Sequence, residues 1–369
     1  MTIESELAQA PQLLRDFLDQ RGLVYDPQAQ VDMLASAVAC QFVLFAGPSG
    51  TGKSTAAKVL AEFLAPTSRH ATLDARPAWT ASEDVAGQYS AFTDQYVAGP
   101  FTADLVRLDG GTGTPVVIVE EANLSPIEAY AGPVITAASS IAFERLPWVL
   151  HNQPPGGKSG IPAEVLLGPW PRVFGTVNVD STADAPAPKV SGRACVVLLE
   201  PPDVDTALKS TDAITPSPAM AHAGPPGQHL FGDPTKAWAS YLVAGKTDRF
   251  SDALKPLLTV LADSAGRKSN LVSPRDVQRC VVFMSWHAPL AEAAVAAKLL
   301  ASSNDTESAE NSLLHFVLPG LSSEQFGRAL MPLLNAATPD GLLARRLTKL
   351  AAGGESLFGV SPDFWASLS

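Results

Sequence analysis

Eight consecutive residues, Gly47-Pro48-Ser49-Gly50-Thr51-Gly52-Lys53-Ser54, fit the pattern G-x-x-x-x-G-K-[ST], a set of residue types suited to holding a polyphosphate. The glycines let backbone N–H groups turn toward phosphate oxygens, and a helix opening at Lys53 adds the partial positive charge of its N-terminus. In such a cradle Lys53 reaches the β- and γ-phosphates and the Ser54 hydroxyl ligates Mg2+, with Thr55 completing the binding set. A pair of acids, Glu120-Glu121, directly follows the apolar run Val116–Val119. At the end of a buried strand Glu120 is placed to hold the metal, and Glu121 to orient and polarise an attacking water. Asn178 closes a further apolar run, Arg172–Val177, where its amide can touch a γ-phosphate and that water together; capping a turn is its alternative role. Together these groups point to hydrolysis of a nucleoside triphosphate.

The elements that must carry them are legible as short apolar runs. Phe42–Ala46, Val116–Val119, Arg172–Val177 and Cys195–Leu199 are continuous rather than alternating, as strands covered on both faces of a parallel sheet should be. Helical stretches separate them, which predicts an α/β fold over residues 41–203. Residues 1–40 predict two helices, broken at Gly22 and Pro27. Residues 204–237 are rich in Pro, Ala and Gly and predict a linker, and residues 238–369 predict a helical region. Within it the helical periods are Trp238–Val243, Leu254–Ala262, Pro274–Trp286 and Leu290–Ala301, with Ser273-Pro274 as cap and first helical position. The polar run 302–310 reads as an exposed loop, followed by helices that include 313–317 and 341–350.

The chain has 369 residues, 46% hydrophobic, with 37 acidic against 26 basic side chains, a formal charge of −11. That balance opposes a broad nucleic-acid-binding face, so any contact with DNA or RNA is expected to be local or indirect, borrowed from a partner. Cys40, Cys195 and Cys280 are too far apart for a zinc or disulfide framework. His70, His151, His222, His229, His287 and His315 lack metal-ligand spacing, and Trp79, Trp148, Trp170, Trp238, Trp286 and Trp365 are too scattered for a base-stacking platform. Both sets are expected at the surface or in packing. No basic, apolar leader and no run of ~18 apolar residues is present, so the expectation is a cytoplasmic protein with no membrane contact.

In combination the motifs resemble those of the AAA+ ATPases, and within them the McrB-like branch, motor subunits of modification-dependent restriction systems. Similar segments are Arg76-Pro77-Ala78-Trp79, Glu83 to Tyr89, Gly99-Pro100-Phe101, and Glu120-Glu121-Ala122-Asn123-Leu124-Ser125 with Glu128 and Tyr130. Gly175 to Asp180, Pro188 to Ala194, Ser273-Pro274-Arg275, His315 to Leu321 and Phe364-Trp365 extend the resemblance to the end of the chain. It implies a P-loop AAA+ core with a helical lid, Asn178 as sensor 1 with Asp180 as a possible partner, Arg275 as the sensor-2 arginine, and Arg193 as a finger acting on a neighbouring subunit. It further implies a homo-oligomeric ring, hexameric by analogy, using ATP or GTP with Mg2+ and working with a McrC-like nuclease or another effector in a restriction or anti-phage complex. Gln88–Phe101 and His151–Pro169 would be hairpin inserts facing the pore. Glu120 stands where the family has Asp, Ser49 where it has a second Pro, and Ser191-Gly192 where it has Leu-Asp. About 40 residues precede the first strand, fewer than a DNA-reading domain needs, so target recognition is expected from another chain. A MoxR-like chaperone ATPase and a nucleotide-gated scaffold with weak hydrolysis are the alternative readings.

Overall fold

The structure is a computed structural model and describes residues 3–109, 113–139, 147–151, 160–166, 171–179, 186–201, 224–228, 247–264, 272–353 and 364–365. Helices α1 (Ile3–Asp19) and α2 (Pro27–Ala39) precede strand β1 (Phe42–Gly47), helix α3 (Lys53–Leu64) and strand β2 (His70–Asp74). A short helix α4 (Glu83–Ala86) enters the hairpin β3 (Gly87–Ser90) and β4 (Gln95–Ala98), followed by α5 (Thr102–Asp109) and β5 (Val116–Glu120). Next come α6 (Ile127–Tyr130), α7 (Gly132–Ser139), an antiparallel pair β6 (Pro147–Val149) and β7 (Glu164–Leu166), then β8 (Arg172–Asn178), α8 (Pro188–Ser191) and β9 (Cys195–Leu198). The helical C-terminal region holds α9 (Thr247–Ser264), α10 (Pro274–Ala296), α11 (Asp305–Phe316), α12 (Ser323–Ala336) and α13 (Leu342–Gly353).

Five parallel strands form the central sheet in the order β2-β5-β8-β1-β9. β1, β5 and β9 are buried at every residue, which is why they read as continuous apolar runs. The edge strand β2 alternates instead: Ala71 and Leu73 are buried while Thr72 and Asp74 face outward. With only two apolar residues inward it falls below what an apolar run reveals, and the sequence reading has no strand there.

Arg172, fully buried, donates to the carbonyls of Cys40 at 2.7 Å and Val38 at 3.2 Å, fastening the end of α2 to β8. α1 and α2 in turn pack on α10, so the first and last parts of the chain share one core.

Two expectations for the C-terminal region need correction, and one helix is added to them. The periods Pro274–Trp286 and Leu290–Ala301 belong to one helix, α10, which passes through Pro289 and ends at Ala296. An internal proline costs ~3 kcal/mol, and the buried Met284, Trp286, Leu290 and Ala291 around it supply the packing that offsets this. The run 302–310 is not an exposed loop: Asn304 caps α11 by accepting from the Glu307 N–H at 2.9 Å, and Ser308, Ala309 and Glu310 are buried. The polar residues there form a helix cap and a buried network. Helix α12, which the sequence reading lacks, opens on a capping box formed by Ser322 and Gln325. By contrast, Ser273 caps α10 reciprocally with Asp276, and Pro274 is its first residue, as expected. The period Trp238–Val243 and most of the expected linker lie outside the described residues.

Candidate nucleotide site

β1 delivers the phosphate-binding pattern at the carboxyl edge of the sheet. Gly47 sits so close to the adjacent chain that a Cβ on it would lie 2.3 Å from the Leu199 carbonyl oxygen. Gly52, at φ +80, takes the left-handed conformation that starts α3 with Lys53. The Pro48 carbonyl accepts from the Thr51 hydroxyl at 3.0 Å and from Lys53 Nζ at 2.6 Å, so the loop curls around the lysine head. Ser49 and Gly50 in the loop and Thr55 in the first turn of α3 are exposed. Tyr25, in the break between α1 and α2, donates its hydroxyl to the Gly52 carbonyl at 3.0 Å and braces the turn from outside. Burial pushes its phenol above the usual range. Sequence reasoning missed Tyr25, since a lone residue between two helices belongs to no period.

Glu120, the last residue of β5, is the centre of the site. Its Oε2 accepts from the Ser54 hydroxyl and, at 3.2 Å, from the Thr176 hydroxyl; its Oε1 pairs with Lys58 Nζ at 2.7 Å, in the geometry of an ion pair rather than an aligned hydrogen bond. Burial pushes the Glu120 carboxyl up, but the contacts from Lys58, Ser54 and Thr176 outweigh it and hold the group below its usual range. Lys58 and Thr176 escaped the sequence reading, although both left a signal. Lys58 is four residues beyond Ser54 on one face of α3, and Thr176 is two residues before Asn178 on one face of β8.

Glu121 follows with φ +51, a left-handed conformation unusual for a residue with a Cβ. It is held there by its N–H donating to the Thr176 hydroxyl at 2.9 Å and by the Ala122 N–H donating to the Thr176 carbonyl at 2.7 Å. The reversal turns the Glu121 side chain out of the strand into an exposed position. Asn178 pairs in register with Gly47, and its carbonyl accepts from Asn123 Nδ2 at 3.0 Å. Thus Lys53, Ser54, Glu120, Glu121 and Asn178, named from three separate motifs, stand on the adjoining ends of β5, β8 and β1 and the start of α3. A hydroxyl and a carboxylate converging on one point are hard oxygen donors, a set that suits Mg2+.

Arg193 and Arg275 are elsewhere. Among the described residues no hydrogen bond or ion pair joins either to this cluster. Arg193 precedes β9, which runs parallel to β1, so it lies at the opposite edge of the sheet from the loop. The four residues of β9 alone span ~13 Å. Arg275 is the exposed second residue of α10. Asp180 lies outside the described residues.

Two antiparallel inserts interrupt the chain between the strands of the central sheet. The β3–β4 hairpin carries Phe92 fully exposed at its tip, and its base is tied down where Tyr96 and Thr102 hydroxyls donate to the Ala86 carbonyl at 2.6 and 2.5 Å. His151, just after β6, packs its ring on Tyr89 at 6.3 Å and Tyr96 at 5.8 Å, so the two inserts touch. The second insert starts earlier than expected, since β6 opens at Pro147 rather than His151.

No family profile matches the sequence, and neither does any curated protein. Among solved structures, the chain is similar to a provisionally assigned ATPase of Cytophaga hutchinsonii, with a TM-score of 0.50 and 11% identity over 86% of this chain and 88% of that one. It is also similar to a Cch protein of the type IV SCCmec element described as an active helicase, with a TM-score of 0.42 and 13% identity over 94% of this chain and 57% of that one. The parallel five-stranded sheet with flanking helices, the phosphate loop after β1 and the helical C-terminal region make the fold that of a P-loop AAA+ core followed by helices.

Proposed function

We propose that the protein hydrolyses a nucleoside triphosphate, ATP or GTP, and works as a homo-oligomeric ring that couples turnover to remodelling or translocation. The observation that carries this reading is the meeting of the Ser54 and Thr176 hydroxyls on one oxygen of Glu120, with Glu121 turned outward beside it. Lys53 and the loop amides would bind the β- and γ-phosphates, while Ser54 and Glu120 would hold Mg2+. The bound ion would neutralise charge on the phosphate oxygens. Glu121 would take a proton from water placed by Asn178. Arg193 would serve the neighbouring subunit's site, because its own lies across the sheet, and Arg275 would report on the bound nucleotide from α10. The paired inserts, with Phe92 at one tip, would contact the substrate in the pore. The sequence resemblance favours a nuclease effector of a restriction-like complex as partner over a chaperone role.

Lys53→Ala and Glu121→Gln test the site. Phosphate release and fluorescent-nucleotide titration should show binding and turnover both lost in Lys53→Ala. Binding should be kept in Glu121→Gln, with turnover reduced at least ~10²-fold, the usual worth of a general base. Activity in both equal to that of the unmodified chain refutes the assignment.

The ion pair between Lys58 and Glu120 supports a second reading, a nucleotide-gated scaffold that turns over slowly because an ammonium offsets the metal-binding carboxylate. Glu120→Asp withdraws the carboxylate by one methylene. On the scaffold reading it should raise turnover about tenfold, and an unchanged or lower rate removes that reading.

A further inference from the structure

The turn bearing Arg193 is held from outside by a second arginine. Arg279, on α10, donates from Nη1 to the Gly192 carbonyl at 2.9 Å and from Nη2 to the Ala194 carbonyl at 2.6 Å, the peptide oxygens on either side of Arg193. Its guanidinium lies over the Phe316 ring at 4.6 Å, which fixes the plane of the fork. From within, the turn is closed by the N–H groups of Arg193 and Ala194 donating to the Val190 carbonyl at 2.9 and 3.0 Å. A Cβ on Gly320, in the short helical turn Leu318–Gly320, would lie 3.9 Å from the Gly192 Cα, so the C-terminal region touches the same turn at a second point. The Arg193 side chain is left half-exposed, with its backbone tied on every side.

We infer that Arg279 is a positioning residue that sets the reach of Arg193 toward the neighbouring subunit. The inference rests on the trans role proposed for Arg193. Two parallel bonds from one rigid fork fix both the height and the rotation of the peptide between them, which a single point donor cannot do. Arg275, one turn earlier on α10, lies ~6 Å away along the same face, so the helix that carries it also carries the clamp. The clamp would act on catalysis through geometry alone, because Arg279 bonds the turn before β9, at the end of the sheet opposite its own subunit's phosphate loop.

The test uses the full chain with Arg279→Ala, Arg279→Lys and Arg193→Ala, each assayed alone and mixed with Glu121→Gln, with subunit exchange followed by native mass spectrometry. Misplacement of a catalytic group by ~1 Å costs ~10²-fold, so kcat should fall by about that factor in both Arg279 variants. KM and binding of a slow nucleotide analogue should stay unchanged. A Glu121→Gln subunit keeps a well-placed Arg193, so in mixed rings it should restore hydrolysis at the intact site of an Arg279→Ala neighbour, several-fold above the sum of the two proteins alone. A subunit whose own site is damaged, or which is merely destabilised, gains nothing from that neighbour. Rescue of Arg193→Ala but not of Arg279→Ala overturns the inference and leaves the trans role standing. Failure of both to be rescued in mixed rings overturns the trans role and the inference with it. Arg279→Lys with the kcat of the unmodified chain also overturns the inference, whatever Arg279→Ala does.

Discussion

Thr176 serves both glutamates of the candidate site: its hydroxyl donates to the Glu120 carboxylate and accepts from the Glu121 backbone N–H, while its carbonyl receives the next N–H along. Thr176→Val keeps the shape and the β-branched fit to the strand but leaves Glu121 without the bond that holds a backbone conformation costing ~1–3 kcal/mol. A hydrogen bond to a charged group is worth ~1.5–3 kcal/mol. Turnover should therefore fall about 10- to 100-fold while nucleotide affinity, set by the loop, stays within a factor of about three. Phosphate release and analogue titration on one preparation check both, and equal losses in the two would show that Thr176 acts on the loop instead. At this scale the sequence was informative wherever a motif has fixed spacing, as for Lys53, Ser54, Glu120, Glu121 and Asn178. It was silent where a residue acts by proximity across the fold. Tyr25 reaches the loop over 27 positions and Arg279 reaches the Arg193 turn over more than 80, separations that no pattern along the chain records.

Between elements, the join of α2, α10 and α11 is polar where the rest of the core is apolar. Asp32 accepts from Gln28 at 3.0 Å and Asn311 at 3.3 Å and meets His287 Nε2 at 3.0 Å, while His287 Nδ1 lies 2.9 Å from the Ser308 hydroxyl. His315 stands 3.5 Å from the other Asp32 oxygen and bonds through Nδ1 to the β9 carbonyl of Val196 at 2.6 Å. Burial pushes the Asp32 carboxyl up, but the hydrogen bonds and charge of His287 and His315 outweigh it and hold it well below the usual carboxylate range. A carboxylate depressed in the folded state contributes stability at pH values above its unfolded value of about 4, and that contribution is lost as pH falls below it. Asp32→Asn should lower stability at neutral pH by ~3–5 kcal/mol, the cost of breaking a buried charged network. It should also flatten the acid branch of the stability curve, which urea unfolding from pH 7 down to about pH 3 would show; a parallel acid branch in both proteins would place the charge elsewhere. Buried polar groups also explain why the start of α11 looked like a loop: Ser308 and Asn311 belong to this network and Glu310 accepts from the Thr338 N–H at 2.6 Å, yet a hydrophobic period counts all three as solvent-facing. Strands covered on both faces carry no such ambiguity, so β1, β5, β8 and β9 were legible and the half-exposed β2 was not.

For the molecule as a whole, the sheet sets the decisive relation, because a parallel arrangement puts every strand's carboxyl end on one edge and every preceding turn on the other. Lys53, Glu120 and Asn178 stand at the first edge and Arg193 at the second, so one chain cannot bring Arg193 to its own phosphate loop without dismantling β9. If Arg193 contributes to hydrolysis, the active unit must contain at least two copies, and the rate per chain must depend on concentration. An arginine supplied by a neighbour is worth ~10³-fold or more. Turnover per chain should therefore climb by about that factor as dilute protein is concentrated through its assembly range, in step with the oligomer observed by native mass spectrometry with ATP, GTP and their slow analogues. Arg193→Ala should assemble over the same range and stay at the dilute, basal rate throughout. A monomer that hydrolyses at full rate, or an Arg193→Ala oligomer as active as the unmodified one, would place the complete site within a single chain and remove the ring from the mechanism.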